Sequence, residues 1–350
     1  MRKGWCKLET NPHAAQSNDP ITGIPFTRIL TSDAPQCQYR RRVDEYKSTI
    51  HWGQRKLLMS EIEFLLLTLV PGEKCTVVYA GAAPGTHVGV LADMFPLHTF
   101  ILVDPAPFTV RPERGRIIIH QGMFTDELAS LIRRSLSRST RLLFISDVRS
   151  CDYNFHSDDV NDARIREDMR AQARWHGILQ PFKSMMKFKL PYTPGKSKYM
   201  KGNIYLPVWG PLTTTECRLV VDTHPASCHY DHTEHENRMF FFNTVTRVAL
   251  YPHSVCGCGI DHCYDCTAEI YILRSYLRAM HRDITARDET IQQVSATISS
   301  RISFDRTLAH ENPDPAVRVN VIRNHQWSDG MPLYEKHVRK EEARRRRRHR

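Results

Sequence analysis

Residues 76–87 constrain the fold more than any other part of the chain. A β-branched apolar run leads there into a turn of small residues, and a helix-like pattern follows over residues 88–95. Two further apolar runs, 101–104 and 142–147, each end in an aspartate. Strand-like runs that alternate with helical patterns predict an open α/β sheet. In such sheets a ligand binds at the carboxyl ends of the strands.

The small-residue turn points to a nucleoside cofactor. Gly81 and Gly85 would let the backbone approach a ligand closely, and Asp104 at the next strand end could hold a ribose hydroxyl pair. The glycine spacing of NAD enzymes and the lysine of the P-loop are both absent from the turn, which favours S-adenosylmethionine over NAD or ATP. The alternative is a tight strand–helix connection that binds nothing.

The charge balance narrows the class of partner. The net charge of +11 favours a polyanion, nucleic acid before membrane, although the basic tail at 344–350 supplies much of the surplus. No run approaches ~18 apolar residues, so the sequence predicts no transmembrane helix. The first residues lack the apolar stretch of a secretory signal. We therefore expect the ten cysteines to be reduced thiols or metal ligands.

Patterning divides the chain into three parts. Residues 1–45 are polar and rich in turn formers, as expected of an N-terminal arm. Residues 46–282 carry the α/β patterns, with a Cys/His-rich insertion at 254–267. Residues 283–350 form a C-terminal extension whose pattern weakens before the basic tail.

Four charged residues lie beside apolar sequence, where a buried charge is costly unless it is paired. They are Lys56, Asp147, Lys187 and Glu216. Each alone is more often a surface charge or a structural ion pair. If two lysines and two acids meet in one cleft, desolvation and the second cation lower the pKa of one lysine. A neutral lysine can take a proton from a sugar hydroxyl.

Three motifs carry a resemblance to a known family. They are Gln54-x-Lys56-Leu57-Leu58-x-x-Glu61, Val78-Tyr79-x-Gly81-x-Ala83-Pro84-Gly85-Thr86-His87 and Ile145-Ser146-Asp147-Val148-Arg149-Ser150. The chain resembles the poxvirus cap-specific mRNA (nucleoside-2'-O-)-methyltransferases, which are also poly(A) polymerase regulatory subunits, and the related kinetoplastid spliced-leader cap-4 2'-O-methyltransferases. The likeness runs from about residue 51 to 280 and leaves out the arm and the tail.

The resemblance implies a fold and a catalytic set. The fold would be a Rossmann-like, S-adenosylmethionine-dependent methyltransferase domain, with a mostly parallel seven-stranded sheet and helices on both faces. Lys187 would be the base for the ribose 2'-hydroxyl, with Lys56 and Glu216 tuning and placing it. Asp147 would position that lysine and the methyl donor.

The resemblance also implies a set of residues that hold the donor, S-adenosyl-L-methionine. They are Gln54, Tyr79, Gly81, Ala83, Pro84, Gly85, His87, Asp104 and Arg149. For Tyr79 the alternative is core packing, and for His87 it is a solvated helix start.

Cap recognition is mapped by the same resemblance. A methylated guanine is positively charged and stacks well between two aromatic rings, and these would be Tyr39 and Tyr192, with Glu236 as an acidic contact to the base edge. A second family acid has no counterpart, because Thr193-Pro194-Gly195 stands there. A loop tyrosine is the alternative for Tyr39. Further candidates, for phosphate contacts, are Arg40, Arg41, Arg42, Lys183, Lys189, Lys196, Lys198 and Lys201.

A Cys/His cluster is typical of a structural zinc site or of reduced thiols on a loop, and the sequence leaves both open. Its members are Cys256, Cys258, His262, Cys263 and Cys266. A second local group could contribute or bind separately: Cys228, His229, His232 and His235. A zinc ion here would be a peripheral structural ion, so no catalytic metal is predicted.

The function that the sequence favours is S-adenosylmethionine-dependent 2'-O-methylation of ribose in the cap region of capped mRNA or spliced-leader RNA. One alternative is a non-catalytic capped-RNA-binding or processivity subunit. Another is a cap-independent ribosomal or transfer RNA 2'-O-methyltransferase. The expected partners are capped RNA and a protein of the RNA-processing machinery, with no membrane. The basic tail at 344–350 fits a nuclear import signal, an RNA-binding extension or a solvated end. We expect a nuclear location for a cellular enzyme and a cytoplasmic one for a viral enzyme.

Overall fold

The structure is a computed structural model that describes residues 23–39, 53–68, 70, 72–151, 156–210, 214–255, 262–280 and 288–302. Within those residues no helix combines the length and the apolar character needed to cross a bilayer.

A seven-stranded, mostly parallel sheet forms the centre of the fold, as the sequence predicted. Its strands in chain order are β1 (Cys75–Ala80), β2 (Thr99–Asp104), β3 (Ile117–Gln121), β4 (Arg141–Ser146), β5 (Lys183–Phe188), β7 (Asn203–Tyr205) and β8 (Cys217–Asp222). Their order in space is β3-β2-β1-β4-β5-β8-β7. The first five run parallel, and β8 is antiparallel to both of its neighbours. A separate two-stranded sheet pairs β6 (Lys196–Met200) with β9 (Ser227–Asp231).

Strand β1 lies inside the sheet, between β2 and β4, and every one of its residues is buried. A strand covered on both faces has a continuous apolar sequence, and Val77-Val78-Tyr79-Ala80 fits that requirement. The chain passes from β1 to β2 on one side and returns later to β4 on the other. This reversal of direction opens a crevice beyond the carboxyl ends of β1 and β4.

Helices cover both faces of the sheet. The helices are α1 (Gly53–Thr68), α2 (Thr86–Met94), α3 (Asp126–Ser135), α4 (Asp158–Leu179), α5 (His232–Thr244), α6 (Tyr264–Met280) and α7 (Asp288–Ile302), with one 3-10 turn at Thr246–Val248. Val77 and Tyr79 of β1 belong to the core shared with α1, α2, α6 and α7. Val78 and Ala80 belong to the core under α3 and the end of α4. The alternation of side chains along β1 therefore supplies both cores.

Part of the predicted N-terminal arm packs against this domain. The Arg28 guanidinium is buried and pairs with Glu63 of α1 at 2.9 Å, and it also donates to the Tyr264 hydroxyl of α6. Leu30 donates its backbone N–H to the carbonyl of Ile204 at 2.8 Å. Residues 23–39 are thus a strap on the methyltransferase-like domain, and residues 1–22 lie outside the described part.

The C-terminal extension also contributes to the core, within α7. Ile291 and Ile298 are buried, and the Ser295 hydroxyl donates to Glu269 of α6 at 2.6 Å. The buried isoleucines are seven residues apart, two helical turns on one face. Their wide spacing explains why the apolar pattern beyond residue 283 was weak. Residues 303–350, with the basic tail, lie outside the described residues.

Candidate active site

A cleft of about 1090 Å³ opens at the carboxyl ends of β1, β2, β4 and β5, where the strand order reverses. It contains all four members of the predicted catalytic set. Asp147 follows β4 directly, Lys187 lies near the end of β5 and Glu216 directly precedes β8. Lys56 reaches the cleft from the first turn of α1.

The four predicted residues form one cluster of ion pairs. Lys187 Nζ lies 2.9 Å from Asp147 Oδ1 and 3.8 Å from Glu216 Oε2. Lys56 Nζ donates to Glu216 Oε1 at 2.7 Å. Residues that are up to 160 positions apart in the sequence therefore share one charged centre.

A fifth charge, Arg218, belongs to the same centre and was not predicted from the sequence. Its Nη2 lies 2.8 Å from Asp147 Oδ1 and 3.5 Å from Glu216 Oε1. Side chains two positions apart in a strand point to the same face, and Arg218 follows Glu216 by two. That period-two spacing was the signal available in the sequence. With Arg218 the centre holds three basic and two acidic groups.

The cluster changes the acidity of its members. Burial lowers the pKa of Lys56, and the neighbouring cations Arg218 and Lys187 lower it further, against the opposing pull of the carboxylates. Burial alone would raise the pKa of Asp147 and of Glu216. The surrounding cations outweigh it, so the pKa of Asp147 is lowered and that of Glu216 lies well below its usual value. Both acids are therefore carboxylates at neutral pH, and a lysine amine is the group available to accept a proton.

The turn after β1 requires glycine because it lies against the backbone of β4. Gly81 has φ +80°, and a Cβ at this position would lie 2.9 Å from the carbonyl carbon of Asp147. Asp104 at the end of β2 accepts hydrogen bonds from the backbone of Ala83 at 3.1 Å and Ala106 at 2.8 Å. A close backbone turn and a strand-end carboxylate in one cleft fit a nucleoside with a free ribose.

The residues predicted to bind the methyl donor fall into two groups in the structure. Those that line the cleft are Gln54, Gly81, Ala83, Asp104 and Arg149. Tyr79 and His87 do not line it and are buried, at 0% and 1% exposure. His87 Nδ1 donates to Gln54 Oε1 at 2.7 Å, and its Nε2 lies 2.9 Å from Glu61 Oε1. The structure thus places Tyr79 in the core beneath the cleft and makes His87 a support for Gln54.

Pro84 and Gly85 also lie outside the cleft lining, at the start of α2. Gly85 has φ +70°, and a Cβ here would lie 2.8 Å from Val110 Cγ1. The two residues shape the turn between strand and helix rather than the wall of the cleft.

The two aromatic residues predicted for the cap lie side by side. The ring centroids of Tyr39 and Tyr192 are 6.3 Å apart, with 31° between the ring planes. Tyr39 packs edge-on against Phe240 of α5 at 5.7 Å. Lys189 Nζ lies 5.0 Å from the centroid of the Tyr192 ring. Lys189 and Tyr192 line the same cleft as the charged centre.

The remaining RNA candidates are dispersed. Glu236 lies on α5 and is not part of the cleft lining. Lys183 is the first residue of β5, so it lies at the end of that strand away from the cleft. It pairs with Asp222. Lys196 and Lys198 lie on β6, and Lys201 directly follows it. Arg40, Arg41 and Arg42 lie outside the described residues.

Among the described residues, no group of three or more histidines, cysteines or acids could hold a metal ion. Cys256 and Cys258 of the candidate zinc cluster lie outside the described residues. Cys263 and Cys266 are buried, and the His262 ring stacks on His253 with centroids 4.2 Å apart.

The second Cys/His group is held by hydrogen bonds to the backbone. His232 Nδ1 donates to the carbonyl of Thr193 at 2.7 Å. His235 Nε2 donates to the carbonyl of Thr215 at 2.8 Å, and burial lowers its pKa to about 4. These two histidines therefore support neighbouring loops.

The strand order, the glycine turn at the switch point and the buried lysine–carboxylate centre define a Rossmann-like methyltransferase domain. Comparison with family models then identifies the group. Residues 29–326 match the model of the poly(A) polymerase regulatory subunit family, and the chain belongs to that family.

Curated relatives agree with this assignment. A cap-specific mRNA (nucleoside-2'-O-)-methyltransferase of Myxoma virus (strain Lausanne) is 26% identical over 248 residues, which cover 66% of this chain and 72% of the relative. A protein of the same name from Fowlpox virus (strain NVSL) is 24% identical over 269 residues, covering 68% of this chain and 81% of the relative.

Two solved structures show weaker likeness. Bluetongue virus VP4, described as a multifunctional RNA-capping production line, aligns with a TM-score of 0.41 at 9% identity and covers 90% of this chain and 67% of its own. A ribosomal RNA methyltransferase of Plasmodium falciparum aligns with a TM-score of 0.33 at 12% identity, covering 47% of this chain and 94% of its own.

Proposed function

We propose that this protein is a cap-specific RNA 2'-O-methyltransferase that uses S-adenosyl-L-methionine. The observation that carries the proposal is the buried centre in which Lys187 contacts Asp147 and Glu216. The names of the Myxoma and Fowlpox virus relatives support the same reaction.

The cleft residues fit the methyl donor. When bound, S-adenosyl-L-methionine supplies an electrophilic methyl group. Asp104 would hold the ribose hydroxyls of the donor. The glycine turn at Gly81 would let the donor lie close against the backbone. Gln54 and Arg149 line the same space. Asp147 lies between this space and Lys187 and so orients the lysine relative to the donor.

Lys187 is the residue that would accept the proton of the ribose 2'-hydroxyl. Asp147 fixes its Nζ through the 2.9 Å ion pair, and the Asp147 carbonyl accepts a further hydrogen bond from it at 3.2 Å. Lys56 and Arg218 contact the same two carboxylates, with Lys56 at Glu216 and Arg218 at both Asp147 and Glu216. Most of the acceleration would come from alignment of the acceptor oxygen in a cleft that excludes water.

Tyr39 and Tyr192 would bind the 7-methylguanine. The 6.3 Å centroid separation lies within the range of two aromatic rings in direct contact, so the rings would turn apart to admit the base while the loop backbone stays in place. Lys189, beside Tyr192 and two positions beyond Lys187, lines the cleft that also contains the charged centre. The triphosphate of a cap would pass this lysine.

We further propose a nuclear protein with a partner in RNA processing. The supports are the basic run at 344–350 and the family description as a regulatory subunit. A fluorescent fusion of the full chain should accumulate in nuclei and lose that accumulation when residues 344–350 are removed. Retention in the cytoplasm with the run intact would contradict the nuclear assignment.

Labelled methyl transfer to capped RNAs tests the proposal. The substrates would be identical except for a single 2'-deoxy nucleotide, placed in turn at each of the first four positions after the cap. Label should disappear with one of these substrates, which also identifies the methylated nucleotide. Undiminished label on every one of the four substrates would contradict ribose methylation at these positions.

A further inference from the structure

The loop that carries Tyr192 is anchored by an acid buried under it. This loop joins β5 to β6, and neither strand fixes residues 190–195. Asp162, in the second turn of α4, is only 1% exposed. A carboxylate removed from water to that extent is tolerated when hydrogen bonds satisfy it.

The Asp162 carboxylate accepts three hydrogen bonds from the Tyr192 loop. Its Oδ1 accepts from the backbone N–H of Tyr192 at 2.9 Å. Its Oδ2 accepts from the backbone N–H of Thr193 at 2.8 Å and from the Thr193 hydroxyl at 2.6 Å. Hydrogen bonds to a carboxylate are about twice as strong as those between neutral groups. One buried side chain thus fixes two successive peptide groups at the cap pocket.

The opposite side of the loop is fixed from α5. His232 Nδ1 donates to the carbonyl of Thr193, and the His232 backbone N–H donates to the carbonyl of Gly195 at 3.0 Å. Every polar group of Thr193 is therefore engaged by a side chain from α4 or α5. Loops of this kind usually satisfy their backbone with water.

The facing ring is fixed in the same way. The backbone N–H of Tyr39 donates to Asn237 Oδ1 of α5 at 2.8 Å, and Phe240 packs against the Tyr39 ring. The two tyrosines come from loops, but rigid helices hold the backbone beneath each of them.

We propose that Asp162 is a positioning residue for cap recognition. By holding the peptide groups of Tyr192 and Thr193, it keeps the Tyr192 ring opposite Tyr39 before RNA arrives, so that binding does not have to order the loop. Preorganisation of this kind raises affinity by lowering the ordering cost of association. The inference rests on the proposed cap-binding function. It adds that a buried acid outside the pocket sets the affinity for the cap while leaving the chemistry alone.

The test measures binding of 7-methylguanosine triphosphate by tryptophan fluorescence or calorimetry, using the full chain. Asp162→Asn places an amide N–H₂ against a backbone N–H and should weaken cap binding about tenfold. Thr193→Val removes the hydroxyl that donates to Asp162 and accepts from Arg166 Nη2 at 3.3 Å, and it should weaken binding about threefold. Thr193→Ser keeps that hydroxyl and should bind within twofold of the unaltered protein.

Two further readouts separate positioning from general destabilisation. The dissociation constant for S-adenosylhomocysteine, and kcat at saturating capped RNA, should be unchanged in all three variants, while KM for capped RNA rises with the cap dissociation constant. Ser184→Ala is the matched control. It removes a buried hydroxyl that contacts His176 Nδ1 at 2.8 Å, remote from the cap pocket, and should lower thermal stability without changing cap affinity.

The outcomes distinguish a failure of the proposed cap recognition from a failure of the inference about Asp162. Unaltered protein that binds S-adenosylhomocysteine but no 7-methylguanosine triphosphate would overturn cap recognition, and the inference with it. Normal cap binding by the unaltered protein together with unchanged binding by Asp162→Asn and Thr193→Val would overturn the inference alone. An equal loss of cap affinity in Ser184→Ala would assign the effect to folding. If Asp162→Asn does not fold, the Thr193 pair gives the answer.

Discussion

The charged centre and the Tyr39–Tyr192 pair that we propose as the cap pocket are built differently, although Tyr192 lines the same cleft as the charged centre. Asp147, Lys187 and Glu216 sit at strand ends of the central sheet and hold one another through ion pairs. Tyr39 and Tyr192 sit on loops, and helices α4 and α5 hold their backbones through hydrogen bonds.

The two constructions suit two different tasks, proton transfer and ligand binding. Strand ends are fixed by the sheet, so side chains there keep the geometry that proton transfer needs. Neighbouring charges in this centre also shift the pKa of Lys56, Asp147 and Glu216, so these groups respond together to a change in any one of them. The two tyrosine rings of the proposed cap pocket form no such ion pairs with each other, and our proposal makes the affinity for the cap depend on where the loop backbone is held. Changes in the charged centre should therefore alter rate, and changes in the proposed cap pocket should alter binding.

The largest effect is expected for Lys187→Met, which removes the proposed base. Methyl transfer should fall by roughly 10²–10⁴-fold, the usual contribution of a positioned acid or base. Binding of 7-methylguanosine triphosphate should stay within twofold. The control is Lys74→Met, an exposed lysine ahead of β1. Full activity in Lys187→Met would break the assignment of the base.

Asp104→Asn should weaken binding of S-adenosylhomocysteine by about tenfold or more, because hydrogen bonds to a charged group contribute ~1.5–3 kcal/mol. Calorimetry measures this directly, with the exposed Asp93→Asn as control. Cap affinity should not change. An equal loss of affinity for S-adenosylhomocysteine and for 7-methylguanosine triphosphate would show that the two binding regions are not independent.

Tyr192→Ala should lower cap affinity roughly tenfold, since stacking of a base on an aromatic side chain contributes ~1–3 kcal/mol. The value of kcat at saturating RNA should stay close to that of the unaltered protein. Tyr271→Ala, a half-exposed tyrosine on α6, is the matched control. A loss of kcat without a change in KM would contradict the separation of binding from rate.

The smallest effect is expected for Arg218→Met, as a shift in pH dependence. Arg218 is one of the cations that lower the pKa of Lys56, Asp147 and Glu216, so its loss should raise all three. The acids then protonate at higher pH, and an amine loses its proton at higher pH. The acidic limb of the rate–pH profile should move up by about one unit. A shift to lower pH would contradict the electrostatic account.

The sequence predicted the sheet and its ligand-binding end because local patterns carry that information. The apolar run at β1 and the glycine turn that follows are read directly from neighbouring residues. The four residues named from the sequence as a catalytic set lie together in the structure, but only the fold could show that Arg218 joins them. Its period-two relation to Glu216 becomes meaningful once β8 is known to lie beside β5.

The packing of the chain ends was harder to predict. Residues 23–39 dock through the buried Arg28–Glu63 pair, and α7 docks through two isoleucines and a serine. These anchors are sparse in sequence and have meaning only against the partner surface. Likewise nothing near Asp162 in the sequence connects it with Tyr192, thirty residues away. Contacts of this kind depend on tertiary structure alone.

Methyl transfer to three matched RNAs tests the central claim most directly. One RNA would carry a 7-methylguanosine cap, one an unmethylated guanosine cap and one a 5' triphosphate. Our account predicts 2'-O-methyl label on the first RNA at a rate far above the other two. Equal label on all three would contradict cap recognition. No label on any of them, with tight binding of capped RNA, would contradict catalysis and favour a binding subunit.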